Sequence, residues 1–146
     1  MAKTVVLASG AFDLVHYGHI KFLEEAKRAG GKDARLVVVV ARDKTVEKLK
    51  GKRPVIPEDQ RRAVVEALKP VDEAILGLKN LSITEAIRKV KPDIIAVGYD
   101  QRRIEEEVRR IVGLEGKIRV VQIGRFGSED LDSSSKIKSR ILNELK

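Results

Sequence analysis

The chain has 146 residues and a formal charge of +8, so it is long enough to bury a sizeable core, and its basic balance calls for an anionic partner. It contains no cysteine, which removes disulfides, thiolate catalysis and cysteine–zinc sites together. No apolar run approaches the roughly 20 residues a membrane-spanning helix needs, and Met1-Ala2-Lys3-Thr4 leads into a strand pattern without the regions of a secretory leader. The expectation is a single cytoplasmic domain over 1–146, without membrane association. Nucleic acid is not the expected partner, because aromatics make up only 3% of the chain and no nucleic-acid-binding module is recognisable. Much of the charge is interleaved with acids, as in Glu105-Glu106-Glu107-Val108-Arg109-Arg110, and reads as solvated helix surface.

In chain order, Thr4-Val5-Val6-Leu7-Ala8 suits a buried strand over 4–9, and Ile20, Leu23 and Ala26 recur at helical spacing within a helix over 19–29. Arg35-Leu36-Val37-Val38-Val39-Val40-Ala41 is continuous and β-branched, as expected of a strand covered on both faces. Helices follow over 43–49 and 58–69, with Pro57 suited to the start of the second and Pro70 to its stop. Strands over 72–76, 93–98 and 118–123 then alternate with helices over 82–90, 102–112 and 134–145. Ser82-Ile83-Thr84-Glu85 reads as a capping box, and Ile137, Ile141 and Leu145 form an apolar stripe on the last helix. This order predicts an α/β fold, Rossmann-like, with helix layers on both faces of a five-stranded parallel sheet. Ligands in such sheets bind beyond the carboxyl ends of the strands, where the strand order reverses.

The first strand delivers the chain into Ala8-Ser9-Gly10-Ala11-Phe12-Asp13-Leu14-Val15-His16-Tyr17-Gly18-His19, which holds both of its histidines. The loop is polar and glycine-bearing and ends against a helix N-terminus, where free backbone N–H groups and the helix dipole favour an anion. One histidine there could be a cap or a core group, but a structural turn has no need of two titratable rings. The P-loop pattern and the G-x-G-x-x-G fingerprint are both missing, so phosphates must be held another way, and His16 and His19 supply one.

Gly10-Ala11-Phe12-Asp13-Leu14-Val15-His16-Tyr17-Gly18-His19 resembles the G-x-F-D-x-x-H-x-G-H signature of the cytidylyltransferase-like nucleotidyltransferases. The resemblance runs from Val5 to Ile141 and implies the nucleotidyltransferase fold. Arg42-Asp43-Lys44-Thr45-Val46, the stretch from Lys50 to Arg62 and that from Glu66 to Gly77 look most like archaeal FAD synthases. Bacterial glycerol-3-phosphate cytidylyltransferases share the signature loop and a serine element. The first resemblance implies transfer of AMP from ATP to FMN. The alternatives are cytidylyl transfer to glycerol 3-phosphate and, from another class, a non-catalytic protein that binds nucleotide or nucleic acid.

It also implies roles for particular residues. His16 and His19 would hydrogen-bond phosphate oxygens, Gly18 would let backbone approach closely, and Ala11, Phe12 and Tyr17 would border the nucleotide. Residues 44–62 would form a mobile basic flap, with Lys48 or Lys50 as its triphosphate lysine and Arg61 as a second charge-neutralising group. Asp100, in a G-x-D element after the fourth strand, would accept a ribose hydroxyl or help hold a metal, or else cap the next helix. Ser133, Ser134 and Ser135 open the last helix as both cap and phosphate cradle, with Asp132 where the family has isoleucine; Arg125 corresponds to the family arginine that precedes the serines, though at a different spacing, and Phe126 borders the nucleobase. No carboxylate cluster marks a metal cage, so a divalent cation such as Mg2+ would arrive with ATP. A homodimer is expected by analogy, though nothing in the chain requires one.

Overall fold

The computed structural model describes residues 3–77, 83–124 and 134–146, excepting the side chains of Leu114, Glu115 and Ser134. Eleven elements follow one another: β1 (Val5–Gly10), α1 (Tyr17–Ala29), β2 (Arg35–Val40), α2 (Asp43–Lys50), α3 (Glu58–Glu66), β3 (Glu73–Leu76), α4 (Ile83–Val90), β4 (Ile94–Gly98), α5 (Arg102–Glu115), β5 (Arg119–Ile123) and α6 (Ser134–Glu144). Each predicted strand and helix is present. The largest differences are α3, which stops at Glu66 instead of residue 69, and α5, which runs on to Glu115 instead of 112; α1 starts two residues early, at Tyr17, and so takes Gly18 and His19 into its first turn. Ser82 of the expected capping box lies outside the described residues.

The strands form one parallel sheet in the order β3-β2-β1-β4-β5. Side-chain alternation sorts the apolar residues into two layers. Val6, Ala8, Leu36, Val38 and Val40 pack with Leu23 and Ala26 of α1 and Val65 of α3 on one face. Leu7, Ile95 and Val97 pack with Ile87 of α4 and Val108 of α5 on the other. The central strands β2 and β4 are almost wholly buried, which is why they read as unbroken apolar runs, while the edge strand β5 is half exposed.

The chain moves outward from β1 to β2 and β3, then returns to the other side of β1 for β4 and β5. The strand order therefore reverses between β1 and β4, and the loops leaving their carboxyl ends diverge. β1 stays paired with β2 through Gly10↔Val40, but its pairing with β4 stops at Leu7↔Ile95. A ligand crevice is expected at such a reversal, here between the histidine loop that leaves β1 and Gly98-Tyr99-Asp100 at the end of β4.

Candidate functional site

The histidine loop leaves β1 through a tight backbone. Phe12 and Leu14 both adopt positive φ, 52° and 54°, a conformation that non-glycine residues rarely hold unless their surroundings fix it. Here Phe12 is buried in the core, and a Cβ on Gly10 would lie 2.9 Å from its ring, so glycine lets the loop fold back. Asp13 is buried and accepts hydrogen bonds from the backbone N–H groups of Val55 (2.9 Å) and Ile56 (3.0 Å) and from Lys138 Nζ on α6 (3.1 Å). Burial alone would raise its pKa, but those donors hold it below the usual aspartate value.

His16 is the N-cap of α1 and His19 sits three residues on, inside the first turn. Their rings stack with centroids 3.8 Å apart, and the Phe12 ring lies 5.2 Å from that of His19. The His16 backbone N–H donates to His19 Nδ1 at 3.3 Å. Burial, then the charges of His16 and Lys50, push the His19 pKa down to about 3. His19 is therefore neutral at physiological pH, and with Nδ1 accepting, its ring proton sits on Nε2. The first turn of α1, where Gly18 lies, also carries the N–H groups that have no intrahelical acceptor. Tyr17 is exposed, with Lys21 Nζ 5.5 Å from its ring centre.

Lys48 and Lys50 stand exposed on the last turn of α2, before Gly51 ends the helix in the left-handed conformation. They are thus carried by a helix rather than by an irregular flap. Lys50 is the one whose field reaches His19. The segment beyond is tied down: Glu58 accepts from Arg42 and from the Asp43 backbone, and Asp13 holds Val55 and Ile56.

Arg61 requires a correction. Its side chain is 0% exposed and donates to the carbonyls of Ile56 (2.8 Å), Ala11 (2.6 Å) and Ala41 (2.7 Å) and to Asp43 Oδ1 (2.7 Å). A guanidinium so engaged does not face the crevice. It joins the histidine loop, the end of β2, the start of α2 and the chain before α3, which is a positioning task rather than the triphosphate contact the resemblance implied. Sequence offered one hint: Arg61 precedes the buried Val65 by four residues and so shares its helix face.

Across the crevice, Asp100 is exposed and its carboxylate folds back over Gly98. The N-cap of α5 is Gln101, so capping by Asp100 is not its task there. Ser135 is exposed in the first turn of α6 and Ser134 begins that helix, whereas Arg125, Phe126, Asp132 and Ser133 lie outside the described residues. Among the described residues no group of three or more histidine, aspartate or glutamate side chains could hold a metal ion. Likewise, no helix among them is long and apolar enough to cross a membrane. Sequence reasoning passed over Lys138 and Gln101, whose partners lie 125 and 92 residues away.

Comparison with known proteins bears on this arrangement. A protein described as FAD synthase from Ferroglobus placidus is 53% identical over 138 residues, covering 94% of this chain and 87% of its own. FAD synthases of Aciduliprofundum boonei and Methanopyrus kandleri are 45% and 48% identical, covering 96% and 94% of this chain and 91% of their own. The crystal structure of a Thermoplasma volcanium protein, titled a lipopolysaccharide core biosynthesis protein, superposes with a TM-score of 0.77 at 40% identity over 86% of this chain and all of that one. An Archaeoglobus fulgidus protein of unknown function, 20% identical over 82% of this chain and 88% of its own, shares the fold with a TM-score of 0.62. The family model described as cytidylyltransferase-like matches residues 7–140. That span starts inside β1, runs into α6 and takes in every strand end from which the crevice is built; the chain belongs to the cytidylyltransferase-like family.

Proposed function

We propose that this protein is an FMN adenylyltransferase, moving AMP from ATP to the phosphate of FMN to give FAD and pyrophosphate. The observation that carries the reading is the near-complete coverage by relatives named FAD synthase at 45–53% identity, with the histidine-bearing N-terminus of α1 lying at the strand reversal. An oxygen of the FMN phosphate attacks the α-phosphorus in line, forming a P–O bond. The bond to the bridging oxygen of the β-phosphate breaks, and its electron pair leaves on pyrophosphate. The attacking phosphate is already ionised near neutral pH, so no strong general base is needed. Positioning and charge neutralisation carry the catalysis.

In this reading His19 donates from Nε2 and His16 lies beside it, both toward phosphate oxygens. Lys50, whose field reaches His19, neutralises triphosphate charge from the end of α2, with Lys48, two residues earlier and on a different helix face, as the alternative. The N-terminus of α6, with Ser134 and Ser135, faces the β/γ end, and Asp100 takes the ribose. A divalent cation arriving with ATP would neutralise charge on the phosphates, bound to them rather than seated in a protein cage.

The test is a matrix of ATP or CTP against FMN, glycerol 3-phosphate and related phosphates, read by pyrophosphate release. ATP with FMN alone should turn over and yield FAD. Release with CTP and glycerol 3-phosphate would replace the reading with cytidylyl transfer, and no release in any pair would end it.

A further inference from the structure

The sheet lacks a backbone rung at the mouth of the crevice. Continued at its own offset, the register between β1 and β4 would bring Ser9 opposite Val97, but the strands have parted after Leu7↔Ile95. The Ser9 carbonyl accepts instead from the side-chain amide of Gln101 at 2.9 Å, and Gln101 Oε1 accepts from the Gly98 N–H at 2.8 Å. A carboxamide carries one donor group and one acceptor group, as a peptide unit does, so it can bridge two strands without adding charge beside an anion site. Gln101 is itself anchored: its N–H donates to the Gly98 carbonyl at 3.0 Å and its carbonyl accepts from Glu105 N–H at the head of α5. A Cβ on Gly98 would make ordinary contact with Gln101 Oε1 at 3.5 Å but would crowd Asp100 Oδ1 at 2.9 Å, so glycine leaves room there for the Asp100 carboxylate.

We propose that Gln101 is a positioning residue whose carboxamide stands in for the missing rung and sets the separation between the wall that leads to the imidazoles and the wall that carries Asp100. The proposal rests on the reading that ATP occupies this crevice and spans both walls. Loss of the clip would then weaken the fit of ATP while leaving acceptor binding nearly unchanged. A residue needed only for folding would behave otherwise, reducing the active fraction and hence kcat with both KM values intact.

The experiment uses Gln101→Glu, which keeps an acceptor for Gly98 but sets a carboxylate oxygen against the Ser9 carbonyl. ATP binding alone is measured by calorimetry, and FAD formation with ATP and FMN varied separately. The expected result is a rise of about tenfold in both Kd and KM for ATP, comparable to losing one hydrogen bond to a charged or well-placed partner, with KM for FMN within twofold. Unchanged ATP binding, or equal rises in both KM values, overturns the proposal. If Gln101→Glu fails to fold by circular dichroism, Gln101→Asn carries the test: it is one methylene short and can hold only one partner. A rise of threefold or more in ATP Kd is expected, and no rise overturns it. A wild type that binds ATP in a Gln101-dependent way but makes no FAD removes the proposed function alone. A wild type that binds no ATP removes both.

Discussion

Arg61→Met is the most informative single substitution, because it separates a positioning arginine from a ligand-binding one. Methionine keeps the aliphatic volume but abandons the carbonyls of Ile56, Ala11 and Ala41 and the carboxylate of Asp43, four partners of a side chain with no exposure. Hydrogen bonds to charged groups contribute about 1.5–3 kcal/mol each, and removing one member of a buried pair costs about 3–5 kcal/mol. The Asp43 side chain keeps 23% exposure, so water can reach it and the lower part of that range applies, about 3–4 kcal/mol. For a chain of this size, at roughly 3 °C per kcal/mol, Tm should fall by about 10 °C. Differential scanning calorimetry with and without ATP reads it. Arg61→Lys should recover little, since an ammonium cannot fork to four acceptors on four segments. A Tm within about 2 °C of wild type, together with a large loss of ATP affinity, would refute the reasoning and return Arg61 to the ligand.

His16→Ala and His19→Ala should each lower kcat for FAD formation by about 10²-fold, the scale of one lost oxyanion-type donor, and near-normal turnover in both would remove the mechanism. The depressed pKa of His19 also predicts a pH dependence of stability. Its unfolded form takes a proton below pH 6.5 and its folded form only near 3, so stability is full above 6.5 and is lost as pH falls toward 3, by about 2 kcal/mol at pH 5. Urea midpoints at pH 7 and pH 5 measure this, and an equal drop in His19→Asn would show that another group is responsible. Asp13, lowered from 3.8, adds its own loss only below that value. Lys138→Met should speed amide exchange in α6 while costing about 1 kcal/mol or less, because the lysine is part exposed; unchanged exchange would mean that the contact with Asp13 does not dock the helix.

The strands were legible because each obeys a local rule. Arg35–Val40 and Ile94–Gly98 are apolar runs whose two-sided burial follows from helices on both faces, and their ends fell within a residue or so of the reading. The start of α1 was less legible, since its N-cap is a histidine instead of a serine, threonine, aspartate or asparagine, and Tyr17-Gly18 are poor helix formers. The histidine loop was legible as a site from its residue types alone, yet its geometry depends on partners the local sequence does not announce. Nothing near Asp13 points to Lys138, and nothing near Ser9 points to Gln101, because those contacts exist only once the sheet has assembled. Arg61 shows a related limit: a basic residue beside a presumed phosphate site reads as a ligand group until its burial is known.

The charged groups around the crevice divide by burial, and the division follows from solvation. A fully buried guanidinium or carboxylate is tolerable only when protein dipoles surround it, so Arg61 and Asp13 spend their hydrogen-bonding capacity on backbone groups and become fasteners for the loops. Lys48 and Lys50, kept in water on the last turn of α2, retain a charge that an incoming polyphosphate can use. The imidazoles lie between these extremes. Were both protonated, two cations with stacked rings would repel each other and Lys50. Burial holds His19 neutral, so it offers a donor without that repulsion, and nearby negative charge would favour the protonated form that burial disfavours.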